Sequence, residues 1–121
     1  MFSIAIGCDE AGCAFRDAIK EMLIQKGYEV EDFGTFDDKP VLYPDIAVAV
    51  AQSIKEGRHQ RGILICGTGI GMCITANKVP GIRAAVCHDP FSTARSGSSS
   101  ATAEWSAASA VRPTSMMTWT T

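Results

Sequence analysis

The sequence predicts an α/β fold, a parallel sheet with helices packed on both faces. Three observations predict it. Four short apolar runs are separated by stretches with helical spacing. The runs are apolar rather than alternating, as strands covered on both faces are. The third run passes into a helix through a glycine-rich turn, Cys66-Gly67-Thr68-Gly69-Ile70-Gly71, and α/β sheets bind ligands at such strand ends.

The first run, Ser3-Ile4-Ala5-Ile6-Gly7, reads as a buried strand ending at Cys8-Asp9-Glu10. Phe15, Ile19, Met22 and Leu23 then recur at helical spacing, with Arg16, Asp17, Lys20 and Glu21 between them. That is an amphipathic helix, closed by Lys26-Gly27 with glycine at the left-handed cap position. Tyr28 to Phe33 is the second strand and Gly34 to Pro40 a loop. Tyr43-Pro44-Asp45 opens a second helix, with proline in its first turn. Ile46, Val50 and Ile54 give its apolar face, and Gly57 ends it. Gly62 to Ile65 is the third strand, and the helix after the glycine turn runs through Lys78. Pro80-Gly81 turns the chain into a fourth strand, Ile82 to Cys87, and His88-Asp89-Pro90 starts another helix.

This is a Rossmann-like three-layer α/β/α arrangement with a parallel sheet of about five strands. The fifth strand has no evident segment. Residues 1–95 read as the domain, and residues 96–121 change character. Ser96 to Ser109 is mostly Ser, Ala and Thr, and Arg112 to Thr121 has no clear periodicity. Such a tail reads either as disordered or as a frame-shifted end of the same domain. Without a fifth strand, one sheet edge would stay bare.

Composition narrows the function. The chain has 121 residues, enough for one domain with a real core, and a formal net charge of −2. No basic stripe is present, so neither nucleic acid nor an anionic membrane is an expected partner. No apolar run reaches the roughly 18–20 residues that span a bilayer. The start lacks the basic region of a signal peptide. The five cysteines form no CxxC pair, which suggests neither a zinc site nor a disulfide framework. Reduced thiols in a cytoplasmic protein are the expectation.

The chemistry centres on the glycine turn. Glycines let backbone N–H groups turn inward, and a helix start adds partial positive charge, so the turn is suited to an anion. It is no Walker loop, since no Gly-Lys-Ser/Thr follows. It is also a poor dinucleotide fingerprint, being GxGxG after the third strand. A ligand-free tight turn is the plainer reading, and an anion-binding loop is the better functional one. Cys66, read alone, fits a buried structural thiol as well as a base or nucleophile favoured by the same field. Asp9 fits a helix cap as well as a ligand for a sugar hydroxyl. Tyr43 fits packing or a cleft wall, and His88 a surface position.

Taken together, Gly7-Cys8-Asp9, Asp32-Phe33-Gly34-Thr35, Tyr43-Pro44, Cys66-Gly67-Thr68-Gly69-Ile70-Gly71 and Ala76-Asn77-Lys78-Val79-Pro80-Gly81-Ile82-Arg83-Ala84-Ala85 resemble the ribose-5-phosphate isomerase B family. That family also holds galactose-6-phosphate and allose-6-phosphate isomerases. The resemblance runs from about residue 3 to about residue 95. It implies an aldose–ketose isomerase that interconverts ribose 5-phosphate and ribulose 5-phosphate, without cofactor or metal, as a homodimer or larger homo-oligomer. By that resemblance Cys66 is the general base, moving a proton between C2 and C1. Thr68 and the amides of Gly69, Ile70 and Gly71 stabilise the enediolate. Asp9 binds a sugar hydroxyl and helps ring opening, and Glu10, Tyr43 and Gly67 complete the substrate site.

Two departures stand out. The family usually carries histidine after the aspartate, where it helps hold the phosphate; here the residue is Glu10, which repels a dianion unless it points away or is protonated. The family's C-terminal arginines have no match in the tail. Weak or absent activity is therefore expected of this chain. The rival readings are a hexose-6-phosphate isomerase, a non-catalytic sugar-phosphate-binding subunit, and a flavodoxin-like nucleotide-binding module.

Overall fold

The structure is a computed structural model. It describes residues 3–36, 42–87, 89, 91 and 95, and the backbone of 115–120. The elements are β1 (Ser3–Cys8), a short 3-10 turn (Glu10–Gly12), α1 (Cys13–Gln25), β2 (Glu29–Asp32), α2 (Tyr43–Lys55), β3 (Arg61–Cys66), α3 (Ile70–Asn77), β4 (Arg83–Cys87) and β5 (Ser115–Thr120). The five strands form one sheet in the order β2-β1-β3-β5-β4, and every neighbouring pair is parallel.

The strand sequences fit their places. β1 and β3 lie inside the sheet and are buried along almost their whole length, as their continuous apolar runs require. β2, Glu-Val-Glu-Asp, lies at the edge, and its exposure alternates residue by residue. On one face Ala5, Leu64 and Cys66 pack against Val50, Ala51 and Ile54 of α2 and Met72 and Ala76 of α3. On the other face Ile6, Cys8 and Ile65 pack against Cys13 and Ile19 of α1, with Val30 and Ile63 beside them. The Asn77 side chain clamps α3 to β4. Its Nδ2 donates to the Ala84 carbonyl at 2.9 Å, and its Oδ1 accepts from the Ala84 N–H at 2.8 Å.

Two expectations need correction. The tail showed no strand to sequence reading, yet residues 115–120 form β5. It is not an added edge: it lies between β3 and β4. Ser-Met-Met-Thr-Trp-Thr has no period because a strand paired on both sides takes its place from the ladder more than from alternation. The inward stripe of α1 also differs. Leu23 is buried and Ile19 packs on the core, but Phe15 and Met22 are 40% and 42% exposed. Arg16, expected on the polar face, is 4% exposed. Positions 16, 19 and 23 share one helical stripe, and 15 and 22 lie to its side. Of the helix expected after β4, positions 91 and 95 are helical, with the Arg95 guanidinium 5.5 Å from the Phe91 ring centre. His88, Pro90, the loop at 37–41 and the tail at 96–114 lie outside the described residues.

Candidate active site

Two neighbouring strands end at one rim. Cys8 of β1 is in register with Ile65 of β3, so Asp9 and Cys66 follow at the same level. The Asp9 N–H donates to the Ile65 carbonyl at 3.0 Å, extending the pairing beyond β1. Asp9 then caps the 3-10 turn in extended conformation, its Oδ1 accepting from the Gly12 N–H at 3.0 Å. Its Oδ2 accepts a long bond, 3.4 Å, from the Gly67 N–H. The carboxylate therefore bridges the end of the first strand and the glycine turn after the third.

That turn is shaped around the cysteine. Gly69 has φ +76°, a left-handed conformation that glycine adopts without a Cβ penalty. The bend carries its N–H to within 3.0 Å of Cys66 Sγ. Thr68 Oγ1 accepts from the Ile70 N–H at 3.2 Å. At Gly71 a Cβ would lie 2.7 Å from Tyr43 Oη and 2.8 Å from Cζ, so only glycine lets the tyrosine ring rest on the first turn of α3. The result is a cavity of about 430 Å³ lined by Asp9, Tyr43, Cys66, Gly67, Thr68, Ile70 and Gly71.

Seven of the site residues expected from sequence thus share one cavity wall. Gly69 lies beneath them, buried, and reaches the site through its bond to Cys66. Glu10 belongs to the 3-10 turn and is not among the lining residues. The N–H groups of Gly69 and Ile70, expected to face the enediolate, are bonded within the turn to Sγ and Oγ1. They hold the Cys66 and Thr68 side chains directly. Among the described residues, no cluster of three His, Cys, Asp or Glu side chains is placed to hold a metal ion, and no helix is long and apolar enough to cross a membrane.

Sequence reading missed what holds the rim in place. The buried Arg16 guanidinium donates to Asp32 Oδ1 at 3.1 Å, to the Thr35 carbonyl at 2.7 Å and to Asp17 at 2.8 Å. The segment it grips runs beside the end of β1, with the Thr35 N–H donating to the Cys8 carbonyl at 2.9 Å. The one available sign was the coincidence of an arginine in α1 with an aspartate ending β2. Beneath the rim, burial pushes the Cys8 thiol up to about 12, with the Arg16 charge opposing the shift.

Comparison with known proteins supplies relatives of the chain and of its fold. The ribose/galactose isomerase family matches residues 4–103. The D-erythrulose-4-phosphate isomerase of Pectobacterium atrosepticum is 55% identical over 98 residues, 78% of this chain and 63% of that protein. The ribose-5-P isomerase B of Listeria innocua is 54% identical over 92 residues, 76% of this chain and 62% of that protein. The chain thus spans just under two thirds of the length of these relatives. The crystal structure of a ribose 5-phosphate isomerase from Thermotoga maritima superposes with a TM-score of 0.82 at 38% identity, covering 97% of this chain and 73% of the other.

Proposed function

Since the chain belongs to the ribose/galactose isomerase family, as its motifs implied, we propose that it is an aldose–ketose isomerase of sugar phosphates, with ribose 5-phosphate and ribulose 5-phosphate as the substrate pair. The observation that carries this is the convergence of Cys66, Thr68 and Asp9 on one cavity at two adjacent strand ends.

The reaction moves one proton between neighbouring carbons. A C–H beside a carbonyl is a weak acid, so the charge on the enediolate has to be met as it forms. Cys66 Sγ takes the proton from C2 of the open-chain sugar and returns it at C1. The Thr68 hydroxyl, whose Oγ1 accepts from the Ile70 N–H, donates to the developing oxyanion, where one such donor is worth about 2.7–4 kcal/mol. The Asp9 carboxylate, fixed by Gly12 and Gly67, receives a sugar hydroxyl and assists ring opening. Exposed Ile70 and Tyr43, 54% and 40%, give the cavity an apolar lip that supports a second subunit over the site, hence a homodimer or larger; the mass in solution decides this.

Substitution of Cys66 by alanine tests the role. Loss of a general base lowers turnover by about 10²–10⁴-fold, while affinity for ribose 5-phosphate changes little. Retained turnover refutes the assignment. Unaltered affinity with no turnover in the parent protein favours the non-catalytic binding subunit that Glu10 suggests. A second substrate reading, D-erythrulose 4-phosphate, is favoured by the 55% identical relative. Relative kcat/KM on the tetrose, pentose and hexose phosphates chooses among them.

A further inference from the structure

Next to the cavity, on the other face of the sheet, lies a pair of thiols that the isomerase reading does not use. Cys8 Sγ and Cys13 Sγ are 4.0 Å apart. Both point at the same acceptor, the Thr35 carbonyl oxygen, at 3.8 and 3.7 Å, and Cys13 Sγ also lies 3.7 Å from the Asp9 carbonyl. The local packing makes this proximity. A Cβ at Gly12 would lie 2.8 Å from Ile65 Cγ2 and 3.1 Å from Cys8 Cβ, so glycine alone lets the start of α1 descend onto the end of β1. Arg16 pins the shared carbonyl with a 2.7 Å bond.

We propose that Cys8 and Cys13 form a redox modification site, closing to an intrachain disulfide on exposure to a low-molecular-weight disulfide and thereby displacing Asp9 from the cavity. A disulfide holds its sulfurs about 2.05 Å apart, so roughly half of the present separation must be lost. Cys8 is fixed in the core with Ile6 and Ile65, whereas Cys13 is half-buried at the first position of α1. The movement falls on Cys13 and on the turn between the two cysteines. That turn begins with Asp9, whose carboxylate is held by Gly12 of the same turn and by Gly67 across the site.

The chemistry is thiol–disulfide exchange. The Cys13 thiolate attacks one sulfur of the external disulfide, forms a mixed disulfide and expels one thiolate. Cys8 then loses its proton and attacks Cys13 Sγ, expelling the second thiolate. Two protein thiols are oxidised, one external disulfide is reduced to two thiols, and the two protons go to the expelled thiolates. Burial holds the Cys8 thiol up at about 12, which makes Cys8 the slow resolving partner.

The bridge itself stands apart from the isomerase assignment; only its effect on turnover rests on that reading, so mass and rate are measured separately. The full-length chain is incubated with oxidised glutathione and then digested with trypsin. Both cysteines fall in the peptide that ends at Arg16. Loss of two hydrogens from that peptide, reversed by dithiothreitol, is the expected result. Intact thiols, or glutathione held on Cys13 with Cys8 still reduced, overturn the proposal. The oxidised chain is expected to lose about tenfold or more in kcat/KM, as small displacements of reacting groups do. Cys13→Ala keeps the parent rate and is insensitive to the oxidant. Equal inactivation of Cys13→Ala overturns the link to Asp9.

Discussion

The contact between Gly71 and Tyr43 sets the position of the cavity wall, and replacing Gly71 by alanine measures how much that position matters. The added Cβ would meet Tyr43 Oη at 2.7 Å, Cζ at 2.8 Å and Cε2 at 2.9 Å, each short of an ordinary contact by roughly 0.5–0.7 Å. Tyr43 is 40% exposed, so its ring can swing outward instead of straining the core. Alanine in the first turn of α3 also gains about 0.5–1 kcal/mol of helix propensity over glycine. The two effects oppose each other, and net stability changes by less than about 1 kcal/mol. The site is not compensated in the same way. A wall displaced by most of an ångström lowers kcat/KM by about 10–100-fold, or about 1.4–2.7 kcal/mol. The assay is steady-state isomerisation of ribose 5-phosphate by Gly71→Ala, Tyr43→Ala and the double variant, with urea melts alongside. If the clash is the cause, the alanine at 71 costs little once the ring is gone, and the cycle shows strong coupling. Additive losses, or a Gly71→Ala variant with the parent rate, refute the reasoning.

Two further outcomes concern stability. Cys8 carries a thiol whose folded-state pKa is raised from 9.0 to about 12 by burial; the unfolded chain gives up that proton first, so stability from this group is complete below about pH 9 and falls above it, by about 1.4 kcal/mol per pH unit. Urea melts at pH 8 and pH 10 should show a smaller alkaline loss in Cys8→Ala than in the parent, and equal losses contradict the shift. Replacing Arg16 by alanine leaves Asp32, whose side chain is 7% exposed, with Lys20 as its remaining ion-pair partner and removes the bond to the Thr35 carbonyl. The expected cost is about 3 kcal/mol, read as a lower urea midpoint, and a cost below about 1 kcal/mol would show that the buried pair is not holding the loop.

Much of the molecule is legible in its amino-acid sequence. Continuous apolar runs identified β1 and β3 because strands covered on both faces need no polar alternation, and the cavity followed because parallel strands bring their carboxyl ends to one rim. Asp9, Cys66 and Thr68 fall together on that ground alone, whereas Tyr43, which opens α2, fits packing as well as a cleft wall. Three things could not be read. Whether a polar side chain is turned inward depends on what lies opposite it, so Arg16 looked like a surface residue until Asp32 and Thr35 were seen beside it. Which donors in a glycine turn remain available depends on single dihedral angles, and φ at Gly69 commits one of them to Cys66. The strand at 115–120 takes its place from partners distant in sequence, and local pattern carries no trace of that.

The placement of that strand has a consequence for how the molecule is assembled. β3, which bears the cysteine, and β4 are synthesised well before the segment that joins them. Until it arrives they border a slot about two strand spacings wide, close to 10 Å, with unpaired backbone groups on both sides. Filling it is a long-range event with a high loop-closure cost, of the kind that slows folding. An open slot of that width also fits any extended segment, including the same strand from another chain. The protein is thus most exposed to misassembly at the seam beside the strand that carries Cys66, and slow or crowded synthesis should show itself there first, as exchanged-strand dimers or aggregates.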